Sequence, residues 1–166
     1  MKTVELGKEY LAELESEVPA TRKCLERIQM NLSEWKPHEK SMQMGYLSLL
    51  VAEMPKWITH IIDDGAIDLA TFSHAKPSTT DDLVKHFEEN VQGAKRALTN
   101  VTNDELAKPF HLMSNGQVVF TSTKQEIIRS TLNHWVHHRG QLTVYMRLNN
   151  IPVPSIYGPS ADDRGF

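Results

Sequence analysis

The sequence contains a single cysteine, Cys24, among its 166 residues. One thiol cannot form an internal disulfide, and the opening stretch MKTVELGKEY lacks the apolar segment of a signal peptide. Both absences favour a reducing cytoplasm as the expected location.

Long hydrophobic runs and a surplus of basic charge are also absent. No uninterrupted apolar stretch approaches the roughly 18 residues that cross a bilayer, so we expect no membrane position. The net charge of −3 leaves no basic surplus to neutralise a phosphate backbone, which argues against a nucleic-acid partner. The remaining composition, 40% hydrophobic and 23% charged, is typical of a globular protein, and the length fits one domain over residues 1–166.

Helical spacing of apolar residues predicts four long helices. The first covers Thr3 to about Met30, with a kink or a break near Pro19, because proline lacks the amide hydrogen that a helix interior needs. The second starts within residues 38–41 and ends near 63. The third and fourth are predicted over about 79–102 and 123–149.

Turn-forming residues separate these helices, and one pair predicts a β-hairpin. Asn115 and Gly116 lie between two apolar runs in FHLMSNGQVVFTS, just after a short helical turn predicted in TNDELAKP. The proline-rich tail from residue 151 is predicted as coil. Because each amphipathic helix must bury its apolar stripe, the sequence predicts an all-α four-helix bundle with a short β-hairpin insertion before the last helix.

The last predicted helix carries three histidines in the stretch NHWVHHRGQL. His134 and His138 lie about 40° apart on one helix face, a spacing that lets two imidazoles chelate one divalent cation. His137 points about 60° away from His134 and is expected to support the pair or to face solvent. Because the pair lies in the apolar stripe, both rings need polar partners. A metal ion and a hydrogen-bonded core pair both satisfy this pattern.

Other polar residues fit structural roles better than chemical ones. Arg139 is expected to pair with a carboxylate of a neighbouring helix, and Cys24 to be a small buried side chain. His74 and His86 are expected in a loop or at a helix edge, without the spacing of metal ligands.

Three segments carry a family resemblance: WKPHEKSM, LVAEMPKW and HWVHHRGQLTVYMRLNNIPVPSIYGPSADD. Together they resemble the DinB family, a group named for damage-inducible bacterial genes, over about residues 35–163. The resemblance implies a four-helix bundle, often a homodimer in a stress-response setting, with a divalent metal bound by three histidines. The wider superfamily includes metal-dependent thiol S-transferases.

The resemblance implies that His134 and His138 are the paired metal ligands of the last helix. The third ligand usually stands three residues before the glutamate in a pattern like H-V-A-E-x-P-x-W, and Leu50 occupies that position in L-V-A-E-M-P-K-W. Leucine has no donor atom. Glu53 is the first candidate substitute and His60 the second. The alternative role of Glu53 is a boundary carboxylate that pairs with a lysine or caps a polar network, and that of His60 is a solvated histidine at the edge of the helix.

Two functional hypotheses follow. In the first, zinc, nickel or manganese binds His134 and His138, is completed by Glu53 or water, and activates a thiol or water for transfer or hydrolysis. In the second, a non-catalytic dimeric bundle has lost the metal and binds a partner, a small thiol or another small ligand. The histidine pair favours the first hypothesis, and Leu50 favours the second.

Overall fold

The computed structural model describes residues 5–165 of the chain. This part of the chain contains five α-helices and three short strands. Four of the helices are long and pack as a bundle, which confirms the predicted fold class. In chain order the elements are α1 (Leu6–Leu25), a 3-10 turn (Met30–Leu32), α2 (Met44–Asp63), β1 (Ala66–Asp68), α3 (Thr80–Asn100), α4 (Asn103–Leu106), β2 (Pro109–Ser114), β3 (Gln117–Thr123) and α5 (Lys124–Leu148).

Helices α3 and α5 begin close to the predicted positions because each has a capping box. The Thr79 side chain accepts a hydrogen bond from the Asp82 amide, and the Asp82 carboxylate accepts one from the Thr79 amide. Thr123 and Glu126 form the same reciprocal pair at the start of α5. These hydrogen bonds satisfy amide groups that have no partner within the helix itself.

The predicted bounds of the first helix are too long. Its predicted start at Thr3 lies outside the described residues, and α1 ends at Leu25, whereas Met30 belongs to the separate 3-10 turn. The helix runs through Pro19 as one element, so of the two predicted alternatives the break is wrong, and the kink stays a prediction.

Helix α2 begins at Met44, later than the predicted start within residues 38–41. The preceding residues form a turn in which the Met44 amide donates to Trp35 O at 2.8 Å and the Gly45 amide donates to Ser33 O at 2.8 Å. A Cβ atom at Gly45 would lie 2.9 Å from the Ser33 Cβ, so this close approach requires glycine. The predicted end of the helix, near residue 63, is confirmed.

The predicted hairpin forms, and it belongs to a three-stranded sheet of order β1-β2-β3. Strands β2 and β3 pair antiparallel around Asn115 and Gly116, which both have positive φ. The short strand β1, which the sequence did not indicate, pairs parallel with β2. Asp68 at the end of β1 accepts hydrogen bonds from the Asn115 and Gly116 amides at 3.1 and 2.7 Å, which attaches the hairpin turn to β1.

The apolar side chains form one core cluster in which α2 packs against both α3 and α5. Burial of these side chains is the main favourable contribution to folding. The spacing of apolar residues on α2 predicts an inner face that is made of Met44, Leu47, Leu50, Val51, Met54, Trp57, Ile58 and Ile61. All of them are buried except Leu50 and Trp57, which are half-buried against the cluster. No helix of the described residues is long and apolar enough to span a bilayer.

A buried lysine anchors the start of α5. Lys124 is 5% exposed, and its Nζ donates to Ile62 O on α2 at 2.7 Å and to Glu105 Oε1 on α4 at 2.5 Å. Lys108 also binds the Glu105 carboxylate, at 2.6 Å. Hydrogen bonds from Lys108 and Lys124 lower the pKa of Glu105 to about 2.

We expect Glu105→Gln to reduce the free energy of unfolding at neutral pH, because it removes the anion that Lys108 and Lys124 bind. A carboxyl with a lowered pKa in the folded state stabilises the protein above its ordinary pKa, and this contribution is lost as pH falls, here between about pH 5 and 2. Urea unfolding at a series of pH values should therefore show a weaker acid dependence in the variant. Glu89→Gln, an exposed α3 residue, is the control. Equal acid dependence of Glu105→Gln and the wild type would contradict this assignment.

Candidate functional site

His134 and His138 face each other one turn apart on α5. Their Nε2 atoms are 2.6 Å apart and their ring centroids 4.3 Å apart. The His138 Nδ1 lies 2.8 Å from Gln141 Oε1, an acceptor, so the His138 ring donates at Nδ1 and accepts from His134 at Nε2. Two ring nitrogens therefore converge on one point beside the helix.

The two rings differ in exposure. His138 is 7% exposed, as the sequence predicts, whereas His134 is exposed, so its expected inward position is wrong. The reason is that Trp135 and Arg139 occupy the centre of the buried face of α5, which leaves His134 outside the edge of that face. His137 faces solvent, one of the two roles expected for it.

Burial and neighbouring histidines favour the uncharged forms of both rings. Partial loss of water contact on the side of the ring that faces His138 and the helix is the main cause that lowers the pKa of His134, and the nearby His138 and His137 lower it further. Burial also lowers the pKa of His138, although the hydrogen bond to Gln141 acts in the opposite direction. Neutral imidazoles carry the lone pair that a metal ion requires.

Glu53 lies in a different cluster. Its side chain is 1% exposed, and its carboxylate accepts three hydrogen bonds from two other elements. The donors are His74 Nδ1 at 2.5 Å and the Ala75 amide at 2.9 Å, both in the α2–α3 connection, and His86 Nε2 on α3 at 3.0 Å. A buried carboxylate needs such donors because desolvation is otherwise costly. The polar-network role considered for Glu53 matches these contacts.

No pattern in the sequence indicates that His74 and His86 lie close together. They lie 21 and 33 residues from Glu53 along the chain, on separate elements, so no helical spacing connects the three. Among the hydrogen bonds and ion pairs of the described residues, those of Glu53 lead to this cluster and not to the α5 histidines.

The set of protein ligands at the histidine pair is incomplete. Leu50 is a half-buried residue of α2 without a donor atom. Within residues 5–165, no group of three or more His, Cys, Asp or Glu side chains is placed to hold a metal ion. The pair on α5 therefore fits two coordination positions of a divalent ion, and other molecules would have to fill the rest.

The remaining reactive groups near α5 have structural partners. Arg139 is 2% exposed and pairs with Glu17 of α1 at 2.6 Å, which matches the predicted interhelical ion pair. The Tyr145 hydroxyl donates to Met42 O at 3.1 Å. Burial raises the pKa of the Cys24 thiol to about 11, so it stays protonated at neutral pH, and the side chain is fully buried as expected.

His60 forms a more exposed pair on α2 and provides a comparison for the buried cluster. Its Nδ1 lies 2.5 Å from Asp64 Oδ2.

We expect His86→Ala to lower the free energy of unfolding by about 1–3 kcal/mol, because it deprives the buried Glu53 carboxylate of a donor. His60→Ala should lower it by less than His86→Ala does, because the exposed Asp64 carboxylate keeps its contact with water when it loses its histidine partner. Urea unfolding measures both values, and equal effects would show that Glu53 does not depend on His86.

Comparisons with known proteins agree with this architecture. A DinB-like protein of Bacillus subtilis has a TM-score of 0.70 at 18% identity, with 94% of this chain and 99% of that chain covered. A DinB-like protein of Bacillus cereus has a TM-score of 0.68 at 17% identity, with 90% and 97% covered. A putative member of the DinB family from Exiguobacterium sibiricum has a TM-score of 0.65 at 16% identity, with 97% and 99% covered. No curated protein matches the sequence. Because the DinB family model matches residues 1–164, nearly the whole sequence, the chain belongs to the DinB family.

Proposed function

We propose that this DinB-family protein binds one divalent metal ion, zinc, nickel or manganese, through His134 and His138. The observation that carries the proposal is the convergence of the two Nε2 atoms to 2.6 Å. Zinc–nitrogen bonds of about 2.0–2.1 Å place two ligands of a tetrahedral site about 3.3 Å apart. A small rotation of the exposed His134 ring is enough to reach that separation.

Gln141 supports the proposal from the other side of His138. Metal-binding histidines usually donate their second ring N–H to an acceptor, which fixes the orientation of the ring. Gln141 Oε1, at 2.8 Å from His138 Nδ1, is such an acceptor. This hydrogen bond places the lone pair of the His138 ring on Nε2, which is the nitrogen that would bind the metal.

The proposed site has open positions that water or a small ligand would occupy. A bound ion would supply Lewis acidity, which lowers the pKa of a coordinated thiol or water. Thiol transfer as the reaction rests on the resemblance to the wider superfamily, and hydrolysis rests on the Lewis acidity that a bound ion would supply. His134 and His138 would hold the ion and Gln141 would orient His138, whereas the Tyr145 hydroxyl is engaged by a backbone carbonyl.

The alternative function is a metal-free bundle that binds a partner or a small molecule, such as a thiol, as a homodimer. Two observations favour it. Leu50 stands where a donor is expected, and Glu53, the candidate substitute, accepts hydrogen bonds from His74 and His86. In this case the histidine pair is only a hydrogen-bonded contact at the edge of the core.

Metal analysis separates the two functions. Untagged protein is dialysed to equilibrium against zinc, nickel or manganese, and its metal content is measured by elemental mass spectrometry. We expect about one bound metal ion per chain, and we expect its binding to depend on both histidines. His134→Ala and His138→Ala should each weaken binding by about tenfold or more, as should Gln141→Ala. His137→Ala is the matched control and should bind like the wild type. Absence of bound metal, or equal loss in His137→Ala, would refute the two-histidine site.

Leu50→His offers a test in the opposite direction. If the third family position faces the histidine pair, the added imidazole completes a three-ligand site and should raise zinc affinity by about tenfold or more. Competition with a chromogenic chelator measures this gain, and Leu49→His on the same helix is the control. An unchanged affinity would show that Leu50 does not face the pair.

A further inference from the structure

A cleft of about 730 Å³ lies between the C-terminal parts of α2 and α3 and the short helix α4. Its walls come from these helices and from the connection between α3 and α4, so it is separate from the histidine pair on α5 and from the Glu53 cluster. Neither functional hypothesis makes use of it. Two of its lining residues, Arg96 and Asp63, carry opposite charges.

Arg96 of α3 provides positive charge over the floor of the cleft. The arginine ion pairs of the described residues involve Arg22, Arg139 and Arg147, so Arg96 is not neutralised by an acidic side chain. Its Nη2 lies 3.8 Å from the position that a Cβ atom would take at Gly93. Because Gly93 has no side chain, the Arg96 guanidinium lies close to the α3 backbone at Gly93, which forms the floor of the cleft.

The α2 side of the cleft provides negative charge. Asp63 is exposed at the end of α2, and it takes part in none of the ion pairs among residues 5–165. Helix α2 ends at this cleft, and the last carbonyl groups of a helix carry partial negative charge. This side therefore favours a cation.

The protein itself holds an ammonium group beside the cleft, on two of the residues that line it. Lys124 Nζ donates to Ile62 O at 2.7 Å and to Glu105 Oε1 at 2.5 Å, and both Ile62 and Glu105 line the cleft. Helix ends and carboxylates at this end of the bundle thus bind an ammonium within the folded chain. A ligand ammonium beside Asp63 would meet similar groups.

We propose that the cleft binds a small zwitterion, with its carboxylate on Arg96 and its ammonium on Asp63. Both side chains line the cleft without forming an ion pair within 4.0 Å, so a ligand that carries both charges can bridge them. Arginine binds carboxylates in a bidentate manner, which gives the ligand a defined orientation. Thr59 and Asn100 line the cleft as hydrogen-bonding groups. The proposal is independent of the metal site.

Amide NMR of the full chain tests the proposal with ω-amino acids of increasing length: glycine, β-alanine, 4-aminobutyrate and 6-aminohexanoate. Butyrate and butylamine are the singly charged controls. At least one amino acid should shift the Gly93 amide and bind about tenfold more tightly than either control, because only it satisfies both charges. Its chain length then measures the span between Arg96 and Asp63.

Two variants assign the charges. Arg96→Gln and Asp63→Asn should each weaken the best amino acid by about tenfold, whereas Arg129→Gln on α5 should leave it unchanged. Arg96 and Asp63 are exposed. The amide spectrum reports whether each variant is folded. Equal binding of butyrate and the amino acid, wild-type binding in Arg96→Gln or Asp63→Asn, or an unshifted Gly93 amide with every probe would overturn the proposal.

Discussion

The rotation of α5 about its own axis is the constraint from which the histidine arrangement follows. Trp135, Arg139 and Leu142 are buried, and successive residues turn by about 100° around a helix, so these three fix the direction of every other side chain on it. The Arg139–Glu17 ion pair adds resistance to rotation, because separating buried charges is strongly unfavourable. His138 is thereby held at the inner edge and His134 at the outer edge.

The position of the two histidines at the edge of the buried face combines one shielded ring with one ring that faces solvent. His138 is shielded and oriented by Gln141, whereas His134 faces solvent and can adjust its ring. The bundle holds His138 in place, whereas the exposed His134 ring can change its orientation.

Glu53 has a structural role, because its carboxylate joins the α2–α3 connection and α3 to α2 through three hydrogen bonds. The hydrogen bonds of Glu53 and the position of the histidine pair are both consistent with a metal site whose protein ligands come from α5 alone.

Local patterns in the sequence predicted the features that depend on neighbouring residues. The capping residues Thr79 and Thr123 set the starts of α3 and α5, and the spacing of His134 and His138 predicted that their rings meet. Features that depend on distant residues were missed or misplaced. The cluster around Glu53 joins three elements, β1 has three residues and no periodicity, and the exposure of His134 depends on a small rotation that the width of the apolar stripe does not define.

Anomalous diffraction at the zinc edge, from crystals grown with zinc, would locate the metal directly. The account predicts one peak about 2.0–2.1 Å from the Nε2 atoms of both His134 and His138, with oxygen ligands from solvent in the remaining positions. It also predicts no peak at Glu53, His74 and His86. Zinc bound at that cluster, or no zinc at the α5 pair, would contradict the central claim that this bundle binds its metal through two histidines of one helix.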